Sequence, residues 1–160
     1  MPSSSGKAHN PVPATIRPLR KEDLPSILEI TAASPEAAQW SAESYAASLD
    51  SGIQGWVSAD ENGIPGFLLA RRAAGEMEIL NLAVSPNSRR KGLGSQLLCQ
   101  ALLWAEQIQV TELHLEVRAS NSAAVKFYES HGFRASGFRR NYYSSPSEDA
   151  VLLSLSVAQR

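Results

Sequence analysis

A single cysteine, Cys99, in a chain of 160 residues leaves no partner for an intrachain disulfide and excludes a cysteine-rich metal site. It stands among the apolar residues of a helical pattern, which points to a buried, inert thiol. Charge of one sign is not in surplus either: Lys and Arg number 15 against 16 Asp and Glu, a net charge of −1 at pH 7. Nothing therefore draws the whole chain to nucleic acid or to an anionic membrane, and a polyanion has to be held by a local cluster. No apolar run approaches the roughly 20 residues that cross a bilayer, and the opening MPSSSGKAHNPV lacks the apolar stretch of a signal peptide. The expectations are a cytoplasmic protein without membrane or direct nucleic-acid contact, and a disordered tail over residues 1–13. A Walker loop is missing too, since the one Gly-Lys pair, Gly6-Lys7, is followed by Ala8. Hydrophobic residues make up 43% of the chain, enough for a core in one domain over residues 14–160 and too little length to favour two.

What is present is organised around Asn81 to Leu98, NLAVSPNSRRKGLGSQLL. A strand-like run ends at Val84, a turn follows, and a basic segment punctuated by Gly92 and Gly94 opens a helix. The spacing of Leu93, Leu97, Leu98, Leu102, Ala105 and Ile108 predicts that helix from near Arg90. First-turn N–H groups have no partner within a helix and carry the positive end of its dipole, so they suit a phosphate. The glycines allow close approach to the backbone, and Arg89, Arg90 and Lys91 add charge. A merely solvated helix start is the competing reading. Leu97 stands where a dinucleotide fingerprint needs a third glycine, which excludes that class of loop.

Ala14 to Leu19 reads as a short edge strand because of Pro18. Asp23 suits the cap of a helix with Leu24, Ile27, Leu28 and Ile30 on its apolar face, and Ser41 the cap of a second helix ending at Ser51-Gly52. Trp40 fits a hydrophobic staple, and the linker from Ala32 to Gln39 alternatively lines a substrate entrance. Asn62-Gly63 marks a hairpin, both residues tolerating positive φ. From Met77 to Val84 the apolar parity switches from Met77 and Ile79 to Leu80, Leu82 and Val84, the pattern of a β-bulge or of a strand buried on both faces. Leu113, Leu115 and Val117 alternate as a strand, Ser120 or Asn121 caps a helix carrying Ala124, Val125 and Tyr128, and His131-Gly132 closes it. Strands from Phe133 to Arg140 and from Ala150 to Val157 then flank a polar aromatic loop, Asn141 to Pro146. The order is β-α-α-β-β-β-α-β-α-β-β, without an internal repeat.

Arg89-Arg90-Lys91-Gly92-Leu93-Gly94 resembles the Gln/Arg-x-x-Gly-x-Gly/Ala pyrophosphate loop of the GNAT acetyltransferases, whose element order this is. Leu115-Glu116-Val117-Arg118-Ala119-Ser120-Asn121, Phe127-Tyr128-Glu129-Ser130-His131-Gly132-Phe133 and Arg140-Asn141-Tyr142-Tyr143 closely resemble the RimI type of that family. The resemblance implies an α/β (α+β) GNAT fold, with a central mixed, mostly antiparallel sheet of about seven strands, splayed in the middle, and about four helices. It implies transfer of acetyl from acetyl-CoA, without a metal, to a protein N-terminus, the N-terminal alanine of a small-subunit ribosomal protein. Leu82, Ala83 and Val84 would present backbone groups to the acetyl and pantetheine arm, and Arg90, Lys91, Gly92, Leu93, Gly94 and Ser95 would hold the pyrophosphate. Arg89, which stands where many relatives have glutamine, would join them in binding the cofactor. Asn121 would touch CoA, Glu116 would be the base and Tyr128 the acid, with Trp40, Tyr142 and Tyr143 toward the acceptor.

Taken without the family, Glu116 is a solvated carboxylate on a strand, Tyr128 a core tyrosine and Asn121 a helix cap. The chemistry supplies the reason for the other reading. An α-amino group with pKa about 8 is mostly protonated at neutral pH and attacks a thioester only once a base has taken its proton. A GNAT acting on a small amine or lysine side chain, and a non-enzymatic CoA-binding module, are the rival functions. Glu116 with Tyr128 argues against the module, and the Arg-Asn-Tyr-Tyr run against the small amine.

Overall fold

Asp60 accepts the N–H of Asn62 at 2.8 Å and Gly63 takes φ 130°, and this turn folds β2 (Gln54–Asp60) back on β3 (Gly63–Ala73). Only the glycine uses positive φ; Asn62 does not. In the computed structural model, which describes residues 13–157, the other elements are β1 (Thr15–Pro18), α1 (Leu24–Ala32), α2 (Ala42–Asp50), β4 (Glu76–Val84), α3 (Leu93–Gln107), β5 (Glu112–Arg118), α4 (Ser122–Ser130), β6 (Arg134–Tyr143) and β7 (Glu148–Ser156). Except for Pro13, the expected tail lies outside the described residues. The strands form one sheet in the order β1-β2-β3-β4-β5-β7-β6, antiparallel everywhere but between β4 and β5. Pro18 ends an edge strand, as its missing N–H requires.

The sheet has a hydrophobic cluster on each face. Leu68, Met77, Ile79, Leu113, Leu115 and Leu153 pack with Leu97, Leu98 and Ala101 of α3 and with Tyr128 of α4. Val57, Phe67, Leu69 and Ala83 pack on the other face with Ile27 and Ile30 of α1 and Tyr45 of α2. Ser41 caps α2 by accepting the Ser44 N–H at 3.1 Å, and Trp40 lies 5.2 Å from the Tyr45 ring, the staple its position suggested. Asn121 caps α4 through Ala124 N–H at 3.2 Å, and Gly132 follows that helix at φ 92°.

The parity switch in β4 is a bulge. Leu69 opposes Asn81 while Ala70 opposes Ile79, so Leu80 is the extra residue. It turns Leu80 to the α1/α2 face and returns Leu82 to the face of Met77 and Ile79. Burial on both faces holds as well.

Four expectations need correction. The helix of the basic segment begins at Leu93 rather than near Arg90, because Arg90 and Gly92 take positive φ of 64° and 79°, which no right-handed helix accommodates. Cys99 is exposed, about 200° around α3 from buried Ala101. Asp23 precedes α1 without capping it: its carboxylate accepts two bonds from Arg17, at 2.8 and 2.9 Å, and the Arg20 N–H. Finally, Asn141, Tyr142 and Tyr143 belong to β6 and not to a loop, since Tyr143 still pairs with Glu148 across an irregular register.

Candidate active site

β4 and β5 pair only at Glu76–Glu112, Met77–Leu113 and Glu78–His114, and then part. Residues 79–84 and 115–118 thus flank a gap in the middle of the sheet. Ser85 donates to the Pro65 carbonyl, so by antiparallel alternation Ala83 bonds back to Phe67, whereas Leu82 and Val84 turn their N–H and C=O toward the gap. Of the three residues expected to offer backbone groups, two face the cleft, and of these Val84 has its C=O taken by Arg89 Nε at 3.1 Å, which leaves its N–H.

At the end of β4 the chain turns into α3. The first turn of this 15-residue helix has no capping side chain and no acidic residue. Its first internal bond runs from Gln96 N–H to the Gly92 carbonyl at 3.0 Å, which leaves the N–H groups of Leu93, Gly94 and Ser95 without helical partners. Arg90 and Lys91 are exposed beside them. A Cβ at Gly94 would meet the Phe127 ring at 3.4 Å, which puts this helix start against α4. The residues present therefore fit a pyrophosphate: free donors, the positive end of a helix dipole, and nearby cations. The Arg89 guanidinium is engaged elsewhere, on Val84, Ser34 and Glu36.

Glu116 lies two residues past the last β4–β5 pair. Leu115 is in the α3/α4 cluster, so alternation sends Glu116 to the other face, where its side chain is 15% exposed. There Arg139 Nε forms an ion pair with its Oε1 at 2.9 Å. The Glu116 carboxylate beside the Tyr142 phenol, followed by burial, holds the phenol pKa above its ordinary value. Arg139 lies 5.5 Å from the centre of the Tyr142 ring, and Arg118 lies 4.4 Å from that of Tyr143. Tyr143 has its pKa raised chiefly by burial, then by the charge of Glu116. Arg118 also donates to the Pro146 carbonyl at 3.1 Å and pairs with Glu148 at 3.4 Å, which fastens the β6–β7 hairpin to β5.

Tyr128 is on the opposite face from Glu116, in the α3/α4 core, against Phe127 and Phe133 at 5.1 and 5.4 Å. Burial pushes its pKa well up, so it keeps its proton at neutral pH. Asn121 spends its Oδ1 on the α4 cap. Trp40 stays with Tyr45 on the α1/α2 face. The sheet thus separates a face with the helix-start anion site and Tyr128 from a face with Glu116, Tyr142 and Trp40, and the gap connects them.

The acetyltransferase (GNAT) family profile matches residues 15–133. The chain belongs to the GNAT acetyltransferase family. It is 34% identical over 146 residues to the [ribosomal protein bS18]-alanine N-acetyltransferase of Escherichia coli (strain K12), covering 90% of this chain and 98% of that protein. The crystal structure of the ribosomal-protein-S18-alanine N-acetyltransferase from Escherichia coli superposes with TM-score 0.81 at 32% identity, over 92% of this chain and 96% of that one. The crystal structure of Arabidopsis thaliana NAA60 in complex with acetyl-CoA shares the fold, with TM-score 0.80 at 20% identity over 90% and 98% of the two chains.

Sequence reasoning passed over three residues of this GNAT site. Arg139 was visible only as a basic residue before Arg140-Asn141-Tyr142-Tyr143, and its contact with Glu116 depends on a sheet register that no local pattern fixes. Arg118 appeared within the Leu-Glu-Val-Arg run without a partner. Asn81, at the bulge, was a polar residue in an apolar strand; it is buried and donates to the Ala38 carbonyl at 3.1 Å and to the Tyr45 hydroxyl at 3.2 Å. A buried amide of this kind is the one signal that sequence offered, since it must find partners.

Proposed function

We propose that this acetyltransferase moves the acetyl group of acetyl-CoA to the α-amino group of a protein N-terminus, the N-terminal alanine of a ribosomal protein, in the cytoplasm. The observation that carries the reading is Glu116, beside the gap on the face away from Tyr128 and bordered by Arg139 and Tyr142. The Leu93, Gly94 and Ser95 N–H groups, with Arg90 and Lys91, hold the pyrophosphate; Leu82 and Val84 offer backbone groups to the pantetheine arm; the Asn121 amide nitrogen remains for CoA. The amine enters from the α1/α2 face and gives a proton to Glu116. Its nitrogen bonds to the thioester carbonyl carbon, the C–S bond breaks, the departing thiolate takes a proton from Tyr128, and the second proton shed by the nitrogen passes through solvent to restore the phenol. The Tyr128 phenol carries its proton at neutral pH, as a donor must, while burial makes it a weaker acid than a free phenol. The likeness to the Escherichia coli alanine N-acetyltransferase over nearly its whole length supports an N-terminal acceptor.

The test is to incubate the protein with acetyl-CoA and peptides that differ in their first residue, some carrying an internal lysine, and to locate the acetyl group by mass spectrometry. Acetyl on the α-amine of Ala-initiated peptides is expected. Acetyl confined to lysine, or appearing only on small amines, would overturn the reading.

A further inference from the structure

Arg89 precedes the phosphate loop, yet its guanidinium is spent on the other face of the cleft. Its Nε donates to the Val84 carbonyl at 3.1 Å, and its Nη2 donates to Ser34 Oγ at 3.0 Å and Glu36 Oε1 at 2.6 Å. One side chain thereby ties the end of β4 to the segment between α1 and α2. Ser34 is buried, while Arg89 and Glu36 are 44% and 42% exposed. The same segment is held to β4 a second time by Asn81, on the Ala38 carbonyl and the Tyr45 hydroxyl. Gln39 Nε2 closes it internally on the carbonyls of Thr31, Ser34 and Ala37. The segment leads to Trp40 on the α1/α2 face, the face that Glu116 shares.

We propose that Arg89 is a positioning residue for the acceptor side: it docks segment 33–40 onto β4 and so fixes the acceptor wall relative to the donor loop, rather than holding the pyrophosphate. The identity of the acceptor rests on the N-terminal reading above. Geometry favours the assignment. A planar fork reaches a carbonyl with Nε and a hydroxyl and carboxylate with Nη2 at once, a set that the single ammonium of lysine cannot reproduce. Moving the guanidinium to a phosphate would strip buried Ser34 of its partner, whereas Arg90 and Lys91 are exposed and nearer the free N–H groups in sequence.

The experiment compares the parent with Arg89→Met, Arg89→Lys, Glu36→Gln and the Arg89→Met/Glu36→Gln pair. Its readouts are acetyl-CoA affinity by calorimetry, hydrogen exchange over residues 33–40, and KM for an Ala-initiated peptide at saturating acetyl-CoA. Arg89→Met is expected to speed exchange in 33–40 and to raise the peptide KM about three- to tenfold, with acetyl-CoA affinity within about twofold of the parent. Lysine does not rescue it. Glu36→Gln, an exposed change that leaves the core alone, gives a smaller effect in the same direction that does not add to that of Arg89→Met. Unchanged exchange in 33–40 overturns the proposal whatever KM does, and so does a tenfold or greater loss of acetyl-CoA affinity that lysine restores. Exchange and calorimetry need no acceptor, so a parent that leaves the peptide unmodified counts against the N-terminal reading alone.

Discussion

At the scale of single residues, Glu116 and Tyr128 lie on opposite faces of the sheet, and the proposed reaction gives the base's part to one and the acid's part to the other. The carboxylate is ion-paired with Arg139, lies beside Tyr142 and is only 15% exposed, which sets it apart from a solvated strand residue. Glu116→Gln keeps shape and hydrogen bonding and loses basicity; the turnover rate is expected to fall about a hundredfold to ten-thousandfold, with acetyl-CoA affinity little changed. A rate equal to the parent's by stopped assays across neutral pH would move the base elsewhere. Tyr128→Phe removes one oxygen from a ring packed on Phe127 and Phe133. The fold should survive, since the ring's apolar contacts remain. A slower turnover with an unaltered melting temperature is the result expected of an acid, and an unaltered rate would return Tyr128 to the core alone.

At the scale of elements, the proposed reaction gives acetyl-CoA to the helix start and the acceptor to the side bordered by the β6–β7 hairpin. Gly94→Val puts a Cβ 3.4 Å from the Phe127 ring and adds two methyl groups to the first turn, beside its free N–H groups. Valine is no worse a helix former than glycine, so acetyl-CoA binding by calorimetry should weaken markedly while the melting temperature holds. Tyr142→Ala with Tyr143→Ala removes the aromatic wall beside Glu116 and should raise the KM of an Ala-initiated peptide far more than that of acetyl-CoA; a double variant that melts early but keeps its peptide preference would make the tyrosines anchors only. The order and type of the elements were legible because each carries its own periodicity, caps and glycines, as at Ser41, Asn121 and Gly132. The bulge at Leu80 was legible in the parity of β4. What local pattern hid was context. Cys99 is apolar by type but lies off the stripe of Leu97, Leu98 and Ala101. The polar Asn141-Tyr142-Tyr143 run looked like a loop, yet it is an irregular strand, with Asn141 at φ 50° and its N–H on Asp149. The pairing of Arg139 with Glu116 brings together strands that are not sheet neighbours, and only the completed topology supplies it.

At the scale of the whole molecule, the gap works only if the β1–β4 half of the sheet stays docked under α1 and α2, and one ion pair at its edge contributes to that docking. Arg17 on β1 grips Asp23, just before α1, with two parallel bonds of 2.8 and 2.9 Å, and the carboxylate, 4% exposed as a residue, takes the Arg20 N–H as a third. The Arg17 hydrogen bond holds the Asp23 pKa below the ordinary carboxylate value, with burial opposing. A carboxylate with a lowered folded-state pKa adds stability that is fully present above its unfolded value, about 3.9, and is lost as pH falls through the lower folded value. Asp23→Asn keeps the shape but discards the charge, and leaves a partly buried guanidinium without its anion, at a cost of about 2–4 kcal/mol at neutral pH. Measured by denaturant unfolding, the stability gap between parent and Asp23→Asn should stay level between about pH 5 and pH 8 and close progressively below about pH 4. Other carboxylates titrate in the same acid range, but they are common to both proteins and cancel in the difference. A gap that stays constant down to about pH 2 would mean that Asp23 holds β1 to α1 by shape and hydrogen bonding, with no contribution from its charge.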